Sequence, residues 1–227
     1  MAGDRAHGAA CQERRRYGPP LCRHGCASQD YLRRERWQSA WRLCPRPGEE
    51  RQIAHHMGFD ATIEGEDVVL RLPRVDDLPW IQGLWADADS MEAVGGPLEW
   101  PVERFERWYR KMVEPGRSTD LYCLIMSRID QMPVGEISFH GFDGSTAALN
   151  IKVVASHRGR GFGESALQPF LRYFFEQVGG AELIDDVALG NTAGQRLLLR
   201  CGFLHDTTRQ DVYLLRMTRQ RFGELHL

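Results

Sequence analysis

One stretch constrains the fold more than any other: "NIKVVASHRGRGFGESALQPFLRYFF", residues 150–175. A β-branched run gives way to closely spaced glycines and arginines, and then to apolar residues at helical spacing. The chain must leave a strand, turn through Gly159, Arg160, Gly161, Phe162 and Gly163, and enter a helix. Leu167, Phe170, Leu171 and Phe174 share one apolar face, so the helix is expected to reach about Gln177. Pro169 lies inside it, lacks an N–H and is expected to kink it. A helix start presents unpartnered N–H groups and the positive end of the helix dipole, which together make an anion site. Gly161 and Gly163 allow close backbone approach there. Arg158 and Arg160 add positive charge.

The elements around this stretch follow from periodicity. Strands are expected at 67–73, 120–129, 132–142, 147–154, 181–189 and 211–218. Helices are expected at 75–87, with Asp76 or Asp77 as N-cap, at 102–113 and at 191–202. The order β-α-α-β-β-β-α-β-α-β describes an α/β domain. Residues 85–100, "WADADSMEAVGGPLEW", are expected at the mouth of a site, with Asp87, Asp89, Glu92 and Glu99 either attracting a cation or forming an ordinary solvated loop. Trp85 and Trp100 are more typical of a core than of a stacking platform.

Residues 1–56 have a different texture. They hold eleven arginines, no lysine and six acids, which leaves 18 basic and 25 acidic residues downstream. With "RRR" at 14–16, "PP" at 19–20 and no sustained apolar period, this segment is expected to be a poorly ordered tail, with a short helix allowed over 30–43. A start of translation at Met57 is a further reading. The domain is expected at 57–227.

The formal net charge of −2 gives no case for nucleic acid as a partner. No apolar run reaches the length of a transmembrane helix, and no secretory h-region opens the chain, so a cytoplasmic protein is expected. Cys22, His24, Cys26 and Cys44 lack the second matched pair of a zinc site, and no metal is expected. Cys123 and Cys201 sit in apolar patterns and read as buried thiols.

Three phosphate-loop readings compete for the glycines. The spacing is not a P-loop, since no G-x4-G-K-[ST] is present. Gly161, Gly163 and Ala166 fit a dinucleotide fingerprint, with Asp185 and Asp186 downstream where an acidic residue belongs. Only 41 residues follow Asp186, too few to complete a doubly wound sheet. The third reading fits best. Arg158-Gly159-Arg160-Gly161-Phe162-Gly163 matches R/Q-x-x-G-x-G/A, and "NTAGQRLLLRCGF" (191–203) aligns Asn191, Arg200, Gly202 and Phe203 with a second element, Val187 standing four residues ahead. Over residues 66–218 the chain resembles the GNAT acyltransferases and looks like a bacterial branch of them.

That resemblance implies a GNAT-like, mixed, mostly antiparallel central sheet flanked by helices, with a splayed parallel pair formed by strands 147–154 and 181–189. It implies acetyl-CoA as co-substrate. Its pyrophosphate would lie on the amides of 159–163, its pantetheine arm along Val153 and Val154, its ribose phosphate near Arg158 or Arg160, and Asn191 would belong to the same site. A primary amine would be the acceptor; aminoglycoside, polyamine, amino acid and protein N-terminus all stay open, as does a homodimer. Acyl transfer needs a neutral amine, and Glu136 and His140, on one alternating strand face with Ser138, are candidate bases beside Asp186. Asp186 is expected to line the acceptor cleft and to be more buried than Glu136, and Asp185 to hold a neighbouring loop; a structural pairing with an arginine is the other reading. Leu198 stands where many relatives carry a proton-donating Tyr, and Gly194 where some carry Ser. An acyl-CoA-binding or regulatory module of weak catalytic power is therefore the alternative to an enzyme.

Overall fold

The computed structural model describes residues 62–112, 119–209 and 211–225. The arginine-rich tail, its helix at 30–43 and the Cys22/His24/Cys26/Cys44 set lie outside these. The chain enters through β1 (Ile63–Glu64) and β2 (Val68–Arg71). A 3-10 turn (Val75–Asp77), α1 (Leu78–Ala86), α2 (Ala88–Met91), a second 3-10 turn (Glu92–Val94) and α3 (Val102–Met112) follow. Three strands come next, β3 (Leu121–Ser127), β4 (Pro133–His140) and β5 (Thr146–Val153), and then α4 (Phe162–Arg172). The chain closes with β6 (Glu182–Ala188), α5 (Thr192–Arg200), β7 (Leu204–Arg209), β8 (Val212–Thr218) and α6 (Arg219–Leu225).

All eight strands form one sheet in the order β1-β2-β3-β4-β5-β6-β8-β7. Every neighbouring pair is antiparallel except β5–β6. Helices cover both faces, so the alternation of each central strand sorts its side chains between two cores. On one face Ile137, Phe139, Ala147, Leu149, Leu183 and Val187 pack with Phe162, Ala166, Leu167, Phe170 and Leu171 of α4. Phe139 and Phe174 meet edge to face at 5.2 Å between ring centres. On the other face Tyr122, Leu124 and Met126 of β3 pack with Ile81, Leu84 and Trp85 of α1 and Phe105 of α3. Each fully buried Val, Leu, Ile, Met or Phe side chain among these contributes roughly 1.5–3 kcal/mol.

The expected elements are present, and four further short ones join them: β1, α2, β7 and α6. Each is too short or too polar to carry a period. β7, "LHDTTR", is an edge strand and needs no apolar alternation, while α6 buries only Phe222. Pro169 does not end its helix. α4 continues past it to Arg172 and passes into a π-helical segment, Tyr173–Val178. Cys123 and Cys201 are buried free thiols; burial pushes the Cys201 thiol up to about 11 and Cys123 further. No described helix is long and apolar enough to cross a membrane.

Asp77 does sit at the N-cap of α1, but its carboxylate points backwards. It accepts from the Arg74 N–H at 2.6 Å and from both Arg71 guanidinium nitrogens at 2.7 and 2.9 Å. The hydrogen bonds from Arg71 hold its carboxyl below the ordinary value. The unfolded chain therefore takes up this proton first as pH falls, so the carboxylate's contribution is complete above about pH 4 and is lost as pH drops through the lower folded-state pKa. Asp77→Asn is expected to lower Tm near neutral pH, with the gap to the parent closing in the acid range. Melting curves from neutral to strongly acid pH check this; a gap that stays constant would rule the ion pair out as its cause.

Candidate active site at the diverging strands

The parallel pair is incomplete. Thr146, Ala147 and Ala148 pair with Glu182, Leu183 and Ile184, and there the ladder stops. Yet β5 stays paired to β4 as far as Val153, and β6 to β8 as far as Ala188. The two strands therefore part in the middle of the sheet and leave facing backbone edges without strand partners. Buried backbone groups need partners, so such a gap is suited to an extended ligand. A small pocket occupies it, lined by Asn150 and Ile151 of β5, Asp185 and Val187 of β6, and Asn191, Gly194 and Leu198 at α5.

Continuing the register by two residues sets Asp186 across the gap from Asn150. Asn150 is itself paired with Ser138, on the face that carries Glu136 and His140. Asp186 thus joins that face, while Asp185 turns to the α4 side. The expected order of burial is reversed: Glu136 is buried and Asp186 only half-buried, while Asp185, on the α4 side, is buried. One oxygen of Asp186, Oδ1, is nevertheless shielded from solvent and has no hydrogen-bond partner among the described residues.

The glycine loop lies at the end of β5. After a 3-10 turn (Ala155–His157), Gly159 and Gly161 take φ of 74° and 83°, a left-handed conformation that suits glycine. Gly161 is the N-cap of α4, and no side chain caps that helix start. Arg158 is exposed, but its guanidinium is tied back onto main-chain carbonyls. Its guanidinium donates to the carbonyls of Val153 at 3.2 Å, Asp89 at 3.2 Å and Ser90 at 2.7 Å. Ser90 Oγ in turn accepts from the Ala155 N–H at 2.9 Å. These bonds tie the loop to α2. Arg160 is exposed, 5.1 Å from the centre of the Phe162 ring. The Phe162 side chain is buried in the core, leaving only its backbone for the loop.

Glu136 is placed differently from an open base. It is buried, and its Oε2 accepts from Trp85 Nε1 at 2.8 Å and from the Tyr122 hydroxyl. Its Oε1 accepts from Lys152 Nζ. Burial, and then the charge of Glu136, hold the Tyr122 phenol well above its ordinary pKa, so it remains a donor. Lys152 donates a second bond to Asn150 Oδ1 at 2.8 Å. His140 is half-buried at the end of β4, opposite Ala148 and farther from the gap. Tyr122, Asn150 and Lys152 are functional candidates that the sequence alone did not single out. The available signal was the pair of polar residues in "NIKVV", which alternation sets on one covered face.

At α5, Asn191 Oδ1 accepts from the Gly194 N–H at 3.0 Å and caps the helix. Leu198 is buried. At the helix exit Gly202 has φ 96°, and the Gly202 and Phe203 N–H groups close onto Leu199 and Leu198 carbonyls, so the glycine is required by the turn. Trp85 belongs to an aromatic cluster with Trp100, Phe105 and Trp108 at 4.7 to 5.5 Å, and Asp87 caps α2 through the Ser90 N–H.

Residues 67–204 match the family model described as "Acetyltransferase (GNAT) domain". A search of the curated proteins gave no match. Solved structures similar to the chain include a GNAT-family acetyltransferase from Bacillus anthracis, at 17% identity and TM-score 0.59, covering 70% of this chain and 99% of that one. A Vibrio cholerae spermidine N-acetyltransferase in complex with CoA and spermine aligns at 18% identity and TM-score 0.62, covering 69% and 98%. A putative ribosomal-protein-serine acetyltransferase from Vibrio cholerae aligns at 16% and 0.56, covering 70% and 98%. At these identities the likeness is one of fold.

The buried ion pair gives a test of its own. Removing one partner strands the other charge, at a cost of about 3–5 kcal/mol, whereas neutralising both together costs much less. Lys152→Met is expected to lower stability by roughly that amount, and Glu136→Gln with Lys152→Met to recover most of it. Urea unfolding of the parent, both single variants and the double variant reads the coupling. Additive losses would mean that the pair is not coupled.

Proposed function

The chain belongs to the GNAT acetyltransferase family, and from that premise we propose that it transfers acetyl from acetyl-CoA to a primary amine of a small molecule or protein. The observation that carries this reading is the continuity between the β5–β6 gap and the uncapped, glycine-lined start of α4. An acyl thioester on an extended arm with a pyrophosphate at its far end has the shape of that combined site. In this reading the amides of 159–163 hold the pyrophosphate. The arm adds itself to the unpartnered edge of β5 near Val153 and Val154, and Arg160, exposed at the mouth, meets the ribose phosphate. Arg158 acts by fixing the loop. Asn191 shapes the wall beside the thioester by capping α5.

The amine must lose a proton before or during attack. Glu136 is one of the expected bases, but its two oxygens already accept three hydrogen bonds, one of them from an ammonium. Asp186 is better suited. It lies on the same face, at the gap, with an oxygen that has no hydrogen-bond partner among the described residues. We assign the proton acceptor to Asp186 and a supporting role to Glu136, with His140 at the outer end of the face. Leu198 and Gly194 offer no proton to the departing thiolate, which takes one from water. Those two residues also favour the second reading, an acyl-CoA-binding protein that turns over slowly. CoA release measured against a panel of amines separates the two. The spermidine acetyltransferase among the similar structures makes polyamines a sensible first class to try.

Gly161→Val puts a β-branched side chain at positive φ and narrows the approach to the α4 amides. Acetyl-CoA affinity is expected to fall at least about tenfold with the fold retained, because the added side chain stands between the ligand and the amides, while the strain of about 1–3 kcal/mol at this φ is read in Tm. Unchanged calorimetric affinity would remove the pyrophosphate from this loop. Asp186→Asn is expected to lower kcat/KM by about 10²-fold or more at neutral pH, the usual loss on deleting a positioned base, with little change in acetyl-CoA binding. The residual rate should climb with pH as solution supplies free amine. If Asp186→Asn keeps parental kcat/KM while Glu136→Gln or His140→Ala loses it, the proton goes to that residue instead.

A further inference from the structure

Asn150 lines the pocket at the gap, and one side of its amide is already committed. Lys152 Nζ lies 2.8 Å from the Asn150 side-chain oxygen. An ammonium can only donate, so the atom facing it must be the carbonyl oxygen, and the amide's orientation is fixed by chemistry. Lys152 is itself held by Glu136, which is anchored by Trp85 and Tyr122. The remaining end of the amide, Nδ2, has two N–H donors and no protein partner among the described residues. It is not shielded from solvent, so it is open at the gap. Continued by two residues past its last pair, the β5–β6 register would set Asn150 across from Asp186.

We propose that Asn150 is a catalytic residue whose Nδ2 donates a hydrogen bond to the acyl oxygen, and that the buried Lys152–Glu136 pair serves to hold it in that orientation. The proposal rests on the reading of the gap as an acetyl-CoA site. The amine lone pair forms the C–N bond at the thioester carbon, and the carbonyl π pair moves onto oxygen, where the Asn150 N–H stabilises it. As that pair returns to restore C=O, the C–S bond breaks and sulfur leaves as thiolate. The nitrogen proton goes to Asp186, and the thiolate is protonated by water. The products are the amide and free CoA. A donor fixed before reaction is effective because it does not have to reorganise as the charge appears.

The test uses the full chain with Asn150→Asp, which keeps the shape and the oxygen facing Lys152 but replaces the donor by an acceptor. Asn150→Ala is the second variant, in case the added charge disturbs folding, and melting curves accompany both. Kd for acetyl-CoA is read by calorimetry, and kcat and amine KM by CoA release. Slow acetyl-CoA hydrolysis without any amine is measured as well, because it passes through the same oxyanion. Loss of one such donor should lower kcat by about 10²-fold, leave Kd and amine KM within about threefold, and lower the amine-free hydrolysis in parallel. Lys152→Met, which frees the amide to rotate, should fall in the same direction by a smaller factor. Parental kcat in a folded Asn150 variant, or a loss confined to amine KM with hydrolysis untouched, would overturn the proposal while leaving acetyl transfer standing. A parent chain that neither binds acetyl-CoA nor releases CoA with any amine would overturn both.

Discussion

The structure depends on a ladder that stops early. Beyond Ala148 and Ile184 the two central parallel strands go separate ways, although each keeps its outer partner to its own end. A sheet normally satisfies its interior backbone groups itself, and here it does not. Both cores are arranged around that exception. α4 seals one face up to the start of the gap, α5 lines its far wall, and α1, α2 and α3 leave the opposite face to a polar strip of Glu136, Ser138, Asn150 and Lys152. The glycine loop is where it is because β5, once free of β6, must turn into α4 directly below the opening.

The polar strip is costly, since a carboxylate and an ammonium both lie out of water. Every donor on Glu136 is accounted for, and Lys152 spends its second bond on Asn150. Such an arrangement makes sense as an alignment device. It converts a residue with two interchangeable amide ends into one with a single outward end. It also explains why the aromatic cluster around Trp85 sits where a mouth was expected: the indole N–H is a member of the network, and its rings exclude the water that would otherwise compete for Glu136.

Much of this was legible in the sequence, and what was not has identifiable causes. The strand–loop–helix hand-over at 150–175 specified the family-like core because period, glycine placement and charge all changed at the same residues. β7 and α2 were missed because an edge strand and a single capped turn carry no periodic signal. The burial of Asp186 relative to Glu136 was misjudged because strand alternation says which residues share a face but not how deeply each position is covered. Glu136 drew attention as an isolated acid on a polar face. The residues that occupy it, Trp85, Tyr122 and Lys152, come from three separate elements, and no local pattern joins them. Arg158 and Arg160 were alike in sequence; only the position of the Asp89 and Ser90 carbonyls distinguishes a tie from an exposed cation.

That tie has a consequence for how such a protein can diversify. Arg158 grips α2 through main-chain oxygens, and it asks nothing of the side chains at 89 except that the backbone pass at the right height. The short helix α2 can exchange the side chain at 89 while Arg158 keeps its hold, and Ser90, whose Oγ accepts from the Ala155 N–H, is the position bound to its identity. In the proposed reading, selectivity for the incoming molecule and grip on the acyl donor are thus mechanically joined but genetically separable: residue 89 can change while the Arg158 and Ser90 bonds stay.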